Sequence, residues 1–278
     1  MTLTSKPSPL LPRLWARAAG LLLAIALLPG LAPAAQSDSV LARVVRDHVL
    51  RVCIWPDYYG ITYLDPRDQQ LAGIDIDMSR AYAGDLAARV EYVNSSFASL
   101  ISDLQEERCD IAMFAVGVTP ERQAALRFSQ PYLQGDIYGI TMRTSQVIRQ
   151  WDDIDQPGVN VGVQAGTVME PVMRASLKHA ALTVISRPQT REEELQAGRI
   201  DVFMTDYPYS QRLLESADWA RLVAAPRPFH LLSYAYAVRP GDPAWQQAVD
   251  AFVTRVKRDG RLAESAQRHH LTKMLITQ

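Results

Sequence analysis

Short apolar runs alternate with helical patterns along most of the chain, and this alternation limits the fold more than any other feature. Parallel strands need connections long enough for a helix, so the alternation predicts an α/β protein with parallel-rich sheets flanked by helices. The predicted strands are residues 50–55, 90–93, 109–116, 159–164, 182–186, 201–205 and 234–239. The predicted helices are residues 75–88, 97–107, 119–127, 168–178, 190–197, 207–216, 243–257 and 260–272.

One ten-residue pattern occurs twice. LQEERCDIAM at residues 104–113 and LQAGRIDVFM at residues 195–204 share Leu, Gln, Arg, Asp and Met in register. Each joins a predicted helix to a strand, so the repeat indicates two similar α/β lobes, with an accidental match as the alternative. Ligands of open α/β sheets bind beyond the carboxyl ends of strands. The segments that follow Met113 and Met204 are therefore candidate sites.

These two segments carry opposite charges. The first, AVGVTPERQ at residues 115–123, begins a predicted helix at Thr119 and Pro120 and places Arg122 in the first turn. The amino end of a helix is already positive, so an arginine there indicates an anion nearby, with a solvated side chain as the alternative. The second segment, TDYPYS, carries Asp206. Facing each other, the two side chains would suit a small zwitterion.

The N-terminal 35 residues are typical of a secretory signal. Three basic residues precede the apolar run AAGLLLAIALLPGLA, which is followed by APA ending at Ala34. We therefore expect residues 1–35 to be a signal peptide and the mature protein to be periplasmic. No cysteine directly follows the apolar run at the expected cleavage site, so we expect no lipid anchor.

Composition narrows the function classes. The 278 residues suffice for one large domain or two ordinary ones, and contents of 48% hydrophobic and 21% charged residues are typical of a globular protein. Removing a leader with three basic and no acidic residues leaves 26 basic against 30 acidic residues, a net charge of −4. This balance, with no basic stripe, argues against nucleic-acid binding. Beyond the leader, no stretch approaches the roughly 20 apolar residues of a membrane span.

The two cysteines, Cys53 and Cys109, are candidates for a disulfide in an oxidising compartment, with two buried free thiols as the alternative. The five histidines lack the spacing of metal ligands, so we expect no metal site. No Ser/His/Asp arrangement, G-x-S-x-G or phosphate loop is present, and we expect no cofactor.

From about Val49 onward, the chain resembles the family 3 periplasmic solute-binding proteins, which deliver polar amino acids to ABC importers. The matching segments are LRVCIWPDYY, LAGIDIDMSRAYAGDL, CDIAMFAVGVTPERQAALRFSQPYL, GVQAGT and GRIDVFMTD, in this order. The resemblance implies the type II fold, two lobes joined by two hinge strands that close over the ligand. Lobe 1 would comprise residues 40–137 and 237–278, and lobe 2 residues 138–236. The hinges would lie near residues 137–143 and 232–238.

The resemblance also implies roles for single residues. Arg122 matches the arginine that binds the ligand carboxylate, and Asp206 the aspartate that binds its amino group. Tyr58 matches an aromatic residue that packs on the ligand. Gly166 and Thr167 match a loop that contributes backbone amides and a hydroxyl.

Other positions depart from the family pattern or leave two interpretations. Phe97 falls where relatives often place an aromatic residue at the cleft edge, although Phe97 and Tyr58 would also suit a core. Relatives commonly carry Ser or Thr where this chain has Gly117, and the residue two positions earlier is Ala115, so only backbone amides are expected there. Trp55 replaces an acidic residue of many relatives. We therefore predict a less polar cleft and an apolar or aromatic ligand side chain.

The sequence is compatible with three functions. The favoured one is a non-enzymatic, monomeric receptor for an amino acid or related carboxylate that serves an ABC permease. The second is cyclohexadienyl dehydratase, because IDQPGV at residues 154–159 and Asp57-Tyr58 resemble that enzyme. Its loop would read G-T-N-E-K, whereas here Glu170 is displaced by one position and the Asn and Lys are absent. The third is an accessory protein of a periplasmic quinoprotein dehydrogenase, which the cysteine pair in RVCIWP and RCDIAM resembles.

Overall fold

The structure is a computed structural model that describes residues 39–276, so the predicted signal peptide lies outside the described residues. The helices are α1 Val40–Asp47, α2 Ile74–Asp85, α3 Leu100–Gln105, α4 Pro120–Ala125, α5 Met169–Ser176, α6 Arg191–Gln196, α7 Tyr207–Ser216, α8 Pro243–Arg258 and α9 Arg261–Arg268. The strands are β1 Val49–Ile54, β2 Asp57–Tyr58, β3 Thr62–Leu64, β4 Leu71–Ala72, β5 Arg89–Asn94, β6 Ile111–Gly117, β7 Arg127–Phe128, β8 Leu133–Gly135, β9 Tyr138–Met142, β10 Asn160–Gln164, β11 Ala181–Ile185, β12 Val202–Thr205, β13 Ala220–Val223 and β14 Leu232–Val238.

Two mixed sheets organise the described chain. The first has the order β5-β1-β6-β14-β7, with β8 also paired to β14, and the second has the order β11-β10-β12-β9-β13. Strands β2, β3 and β4 form a small third sheet. Within the large sheets, β1 and β10 pair in parallel with both neighbours, whereas β14, β9 and β13 pair antiparallel. The predicted α/β architecture with parallel-rich sheets is confirmed.

The sequence repeat corresponds to a repeat in strand pairing. Val52 pairs with Ile111 between β1 and β6, and Val161 pairs with Val202 between β10 and β12. Ile111 and Val202 occupy the same position in the two copies of the ten-residue pattern. The repeat therefore marks two βαβαβ units of equivalent topology, with strands β1, β5 and β6 in one and β10, β11 and β12 in the other.

All seven predicted strands are present, with ends displaced by at most two residues. Strand β13 and helix α1 were not predicted from the sequence, and β9 was predicted as part of a hinge. Strands β9 and β13 pair antiparallel with each other although residues 143–219 separate them along the chain, so no local pattern marks their pairing. The chain passes from the first sheet to the second between β8 and β9 and returns between β13 and β14. Strand β14 belongs to the first sheet, although the predicted second lobe includes residues 232–236. The lobe boundaries stay a prediction.

A buried carboxyl group, Asp75, fixes the end of β6. It accepts hydrogen bonds from the Tyr132 hydroxyl (2.6 and 2.7 Å to its two oxygens), from the Tyr236 hydroxyl (3.2 Å) and from the Ala115 amide (2.7 Å). Ala115 has a φ of 48°, in the left-handed region that is unfavourable for residues with a Cβ. Val116 pairs with Ala235, and Ala112 with Ala237, so β6 has extra residues here and bulges. The carboxyl group holds this bulge in place.

The cysteines form the predicted disulfide. Cys53 of β1 and Cys109, which precedes β6, are joined and buried among Leu100, Leu104 and Phe114. The bond ties two neighbouring strands of the first sheet.

Replacing both cysteines by alanine should destabilise the protein. The bond closes a loop with a sequence separation of 56 residues, and for a loop of this length the chain-entropy model gives about 4 kcal/mol. Urea unfolding of the double variant and of the oxidised parent measures the difference. Parent protein unfolded with a reductant is the control and should match the variant. Equal stability of variant and oxidised parent would contradict the expectation.

Asp75 should make stability fall as the pH rises. Burial raises the pKa of Asp75 to about 7, against about 3.9 for an aspartate in an unfolded chain. The three hydrogen bonds oppose this shift. The folded state therefore holds a proton that the unfolded chain has released between these two values. This contribution is fully present below pH 4 and is lost toward pH 7, at up to about 1.4 kcal/mol per pH unit.

Asp75→Asn should remove this slope, because the amide does not titrate. Urea unfolding of parent and variant between pH 4.5 and pH 8 gives the difference in their pH dependence, with the exposed Asp68→Asn as control. Parallel stability curves for parent and Asp75→Asn would show that Asp75 keeps its ordinary pKa in the folded protein.

Candidate functional site

A central cavity lies where the two large sheets meet, and it brings most predicted site residues together. Its lining includes eight of the nine residues that the sequence analysis selected: Trp55, Tyr58, Phe97, Ala115, Gly117, Arg122, Thr167 and Asp206. The space in the cavity that water can enter measures about 30 Å³, which is room for only a few water molecules. A larger ligand therefore requires that the walls move apart.

Arg122 spans the boundary between the sheets. Thr119 caps α4 by accepting a hydrogen bond from the Arg122 amide, and this directs the side chain into the cavity, where it is 6% exposed. Nη1 donates to the Gly117 carbonyl at 3.0 Å, and Nη2 donates to the Gly166 carbonyl at 3.1 Å. The guanidinium carbon lies 5.3 Å from the centre of the Phe97 ring.

The charge of Arg122 lacks an acidic partner. Within residues 39–276, no carboxylate forms an ion pair with its guanidinium. Burial lowers the pKa of Arg122 to about 10, because a desolvated cation is disfavoured. An anion bound against this group would offset that penalty, so the site favours a carboxylate.

Asp206 comes from the second sheet and meets a residue of the first. It caps α7, with Oδ1 accepting from the Tyr209 amide at 3.0 Å, while Oδ2 accepts a short hydrogen bond from the Tyr58 hydroxyl. Asp206 is 7% exposed and Tyr58 1%. Burial raises the pKa of Asp206, and the hydrogen bond from Tyr58 opposes the shift. The carboxyl group of Asp206 thus lies in the cavity, with Tyr58 bound to the oxygen that a ligand ammonium would need.

Three aromatic rings form one wall. The ring centres are 5.5 Å apart for Trp55 and Tyr58, 5.3 Å for Trp55 and Phe97, and 5.8 Å for Tyr58 and Phe97. Phe97 also contacts Phe114 of the core at 5.2 Å. These rings therefore line the cavity and continue into the core of the first sheet. The ligand contacts of Phe97 and Tyr58 stay a prediction.

The small residues at the end of β6 leave room for other groups. A Cβ atom at Gly117 would lie 2.6 Å from Leu232 Cδ2 and 3.4 Å from Arg122 Nη1. Serine or threonine would therefore displace Leu232 and crowd the guanidinium. Ala115 offers no amide to a ligand, because its N–H already donates to Asp75.

The loop at Gly166 and Thr167 uses its own donors. The Gly166 amide donates to Glu170 Oε2 at 3.2 Å, and the Thr167 amide and hydroxyl both donate to the Gln164 carbonyl at 3.2 and 2.7 Å. Gly166 has a φ of 74°, and a Cβ added there would lie 2.9 Å from the backbone of Ala98. The amides and hydroxyl that were predicted to contact a ligand are thus engaged within the loop.

Glu170 lies outside the central cavity. Besides the Gly166 amide, it binds Arg174 one turn further along α5, with Oε1 at 3.1 Å from Nη2. It lines a neighbouring groove instead.

Arg191, Tyr209 and Tyr234 also line the cavity and were not predicted from the sequence. Arg191 begins α6 and is 6% exposed, and its Nη1 donates to the Met204 carbonyl at 3.1 Å. When the alignment of the two copies is extended by four residues toward the N-terminus, Arg191 aligns with the buried Leu100. A charged residue at a core position of the other copy is unusual.

Two absences apply to the part of the chain that the structure describes. No helix there has the length and apolar character needed to cross a membrane. No group of three or more His, Cys, Asp or Glu residues there is arranged to hold a metal ion.

Comparison with known proteins gives close relatives over most of the chain. Cyclohexadienyl dehydratase of Pseudomonas aeruginosa is 32% identical over 230 residues, which are 82% of this chain and 84% of that protein. A putative ABC transporter arginine-binding protein of Escherichia coli is 27% identical, over 69% of this chain and 79% of that protein. The crystal structure of an ancestral amino acid-binding protein, a precursor of cyclohexadienyl dehydratase, superposes with a TM-score of 0.74 at 28% identity and covers 83% of this chain and 99% of the other.

The sequence profile of one family covers nearly all of the described chain. Residues 50–272 match the bacterial extracellular solute-binding proteins, family 3. The match includes both large sheets and every residue of the central cavity. This chain therefore belongs to the family 3 bacterial extracellular solute-binding proteins.

Proposed function

We propose that this protein is a non-enzymatic periplasmic receptor that binds an amino acid or a related small carboxylate and presents it to an ABC permease. One observation carries the proposal: a buried guanidinium and a buried carboxyl group, from different sheets, line the same cavity. Arg122 would bind the ligand carboxylate, and Asp206 its ammonium. The relatives named as amino acid-binding proteins support this assignment.

Ligand binding would exchange contacts that the protein makes with itself. The Tyr58 hydroxyl would leave Asp206, and the Gly166 carbonyl would share Arg122 with the ligand carboxylate. Both contacts join the two halves of the site, so a ligand that replaced them would also hold the halves together. This is the two-lobe closure that the family implies, with the hinges at the two passages between the sheets. We propose that the receptor acts as a monomer.

Arg122→Ala should abolish or strongly weaken ligand binding. A hydrogen bond to a charged group contributes about 1.5–3 kcal/mol, so the expected loss is roughly 10- to 100-fold in affinity. A thermal-shift panel of the twenty amino acids and small carboxylates, on refolded protein freed of copurified ligand, selects the probe. Calorimetric titration then gives the affinity of each variant.

Arg127→Ala is the matched control for this experiment. Arg127 follows the same helix, is exposed and donates to the backbone carbonyls of Gln123 and Leu126. Its removal should change affinity by less than about twofold. Unchanged affinity in Arg122→Ala would refute the carboxylate assignment, and a panel without any stabilising compound would refute the receptor.

The similarity to cyclohexadienyl dehydratase makes that activity a second candidate. The reaction expels hydroxide and carbon dioxide, so a carboxylic acid must protonate the leaving hydroxyl. Glu170, the acid nearest in sequence to the enzyme's loop motif, lies outside the cavity and binds Arg174. Asp206 is the carboxyl group that lines the cavity, and burial raises its pKa.

Incubation with prephenate separates the two candidates. We expect no phenylpyruvate above the uncatalysed rate, because the glutamate of the enzyme's loop is displaced from the cavity. Alkaline absorbance of phenylpyruvate measures the product, and Asp206→Asn is the control variant. Turnover by the parent that this variant abolishes would establish the enzyme and overturn the receptor proposal.

A further inference from the structure

The two helices that lead into the copies of the repeat differ in character at their first residue. Helices α3 and α6 have six residues each, both end in Leu-Gln and both lead into the strand that carries the repeat. Leu100 begins α3 and is fully buried in an apolar cluster. Arg191 begins α6 at the equivalent place and is 6% exposed. A cation thus occupies a position that an apolar side chain fills in the other half.

The surroundings of Arg191 hold its guanidinium without neutralising it. The guanidinium carbon lies 4.4 Å from the centre of the Tyr209 ring and 5.1 Å from that of Phe203. Nη1 donates to the Met204 carbonyl, and among the described residues no carboxylate forms an ion pair with this side chain. A guanidinium has five N–H donors, so these contacts leave donors for another acceptor.

Arg191 lies where the central cavity opens into a larger groove. The groove measures about 670 Å³ and is also lined by Trp55, Asp57, Gln164 and Tyr209. Trp55, Arg191 and Tyr209 belong to both spaces. A ligand group that extends from the cavity toward the groove therefore passes this guanidinium.

The charges of the cavity exceed those that a zwitterion would balance. Arg122 and Arg191 contribute two cations, and Asp206 contributes the one carboxyl group of the lining. Arg191 lies near enough to Asp206 to lower the pKa of that carboxyl group. An amino acid with an uncharged side chain adds no net charge, so one positive charge of the lining would stay uncompensated. Leaving a buried charge unpaired is unfavourable, whereas a second carboxylate would pair with it.

We propose that Arg191 is a second anion-binding residue of this cleft and that the ligand is a small molecule with two carboxylates, such as an acidic amino acid. This inference rests on the proposed receptor function and names its ligand class. It departs from the apolar ligand side chain that the sequence predicted, because that prediction took account of the aromatic wall and not of Arg191.

Pairs of probes that differ only in one charge test the proposal. Calorimetric titration of the mature protein with L-glutamate and L-glutamine, and with L-aspartate and L-asparagine, should show at least tenfold tighter binding of one acidic amino acid than of its amide. Glutarate, which has two carboxylates and no ammonium, reports whether Asp206 contributes. Arg191→Met keeps the length and apolar contacts of the side chain and should remove the preference, with at least a tenfold loss for the acid and less than a threefold change for the amide.

Other outcomes would overturn either the second anion site alone or the receptor function as well. If an amide or an apolar amino acid binds at least as tightly as any acid, in a manner that Arg122→Ala abolishes, the receptor function stands and the second anion site is wrong. Equal weakening of acid and amide by Arg191→Met would show that Arg191 only supports the cleft wall. Arg191→Lys, which keeps the charge, serves if the methionine variant does not fold and should retain part of the preference. If no amino acid or dicarboxylate binds, both proposals fail.

Discussion

The buried carboxyl group of Asp75 is the interaction on which the rest of this structure depends. Asp75 belongs to α2, and its two oxygens accept four hydrogen-bond contacts. These contacts link α2 to the loop that contains Tyr132, to strand β14 and to the end of β6. The left-handed backbone at Ala115 would be unfavourable without its amide bond to this group. That bend directs Gly117 and the following helix toward the second sheet. The position of Arg122 is therefore set by a carboxyl group that does not itself line the cavity.

The cavity combines groups whose burial is costly with contacts that partly offset the cost. Arg122 is held by two carbonyl oxygens and an aromatic ring, and Asp206 by a helix amide and the Tyr58 hydroxyl. Carbonyls and hydroxyls stabilise these groups less than opposite charges do. The protein thus provides weaker substitutes for the charged partners it is proposed to bind. The binding free energy would then reflect the difference between the contacts made with the ligand and the internal contacts that the ligand replaces.

The fold and the ends of its main strands were predictable because hydrophobic runs and crossover helices alternate regularly. Strands β9 and β13 were not, since their antiparallel pairing is fixed by distant partners and not by local pattern. The charged pair Arg122 and Asp206 followed from the repeat and the family resemblance together. The engagement of the Thr167 hydroxyl within its own loop depends on backbone geometry, which residue types do not encode. Arg191 could have been found by comparing the helices that precede the two copies of the repeat, and not only the ten residues of the repeat itself.

Gly166, which follows β10 of the second sheet, lies close to Ala98, which precedes α3 beside the first sheet. A Cβ at residue 166 would lie 2.9 Å from the Ala98 backbone. Gly166 also has a φ of 74°, a conformation that residues with a Cβ rarely adopt. Any side chain at this position would therefore strain the loop and separate its carbonyl from Arg122 Nη2. The absence of a side chain at residue 166 is thus a condition for the two halves of the site to approach as closely as they do here.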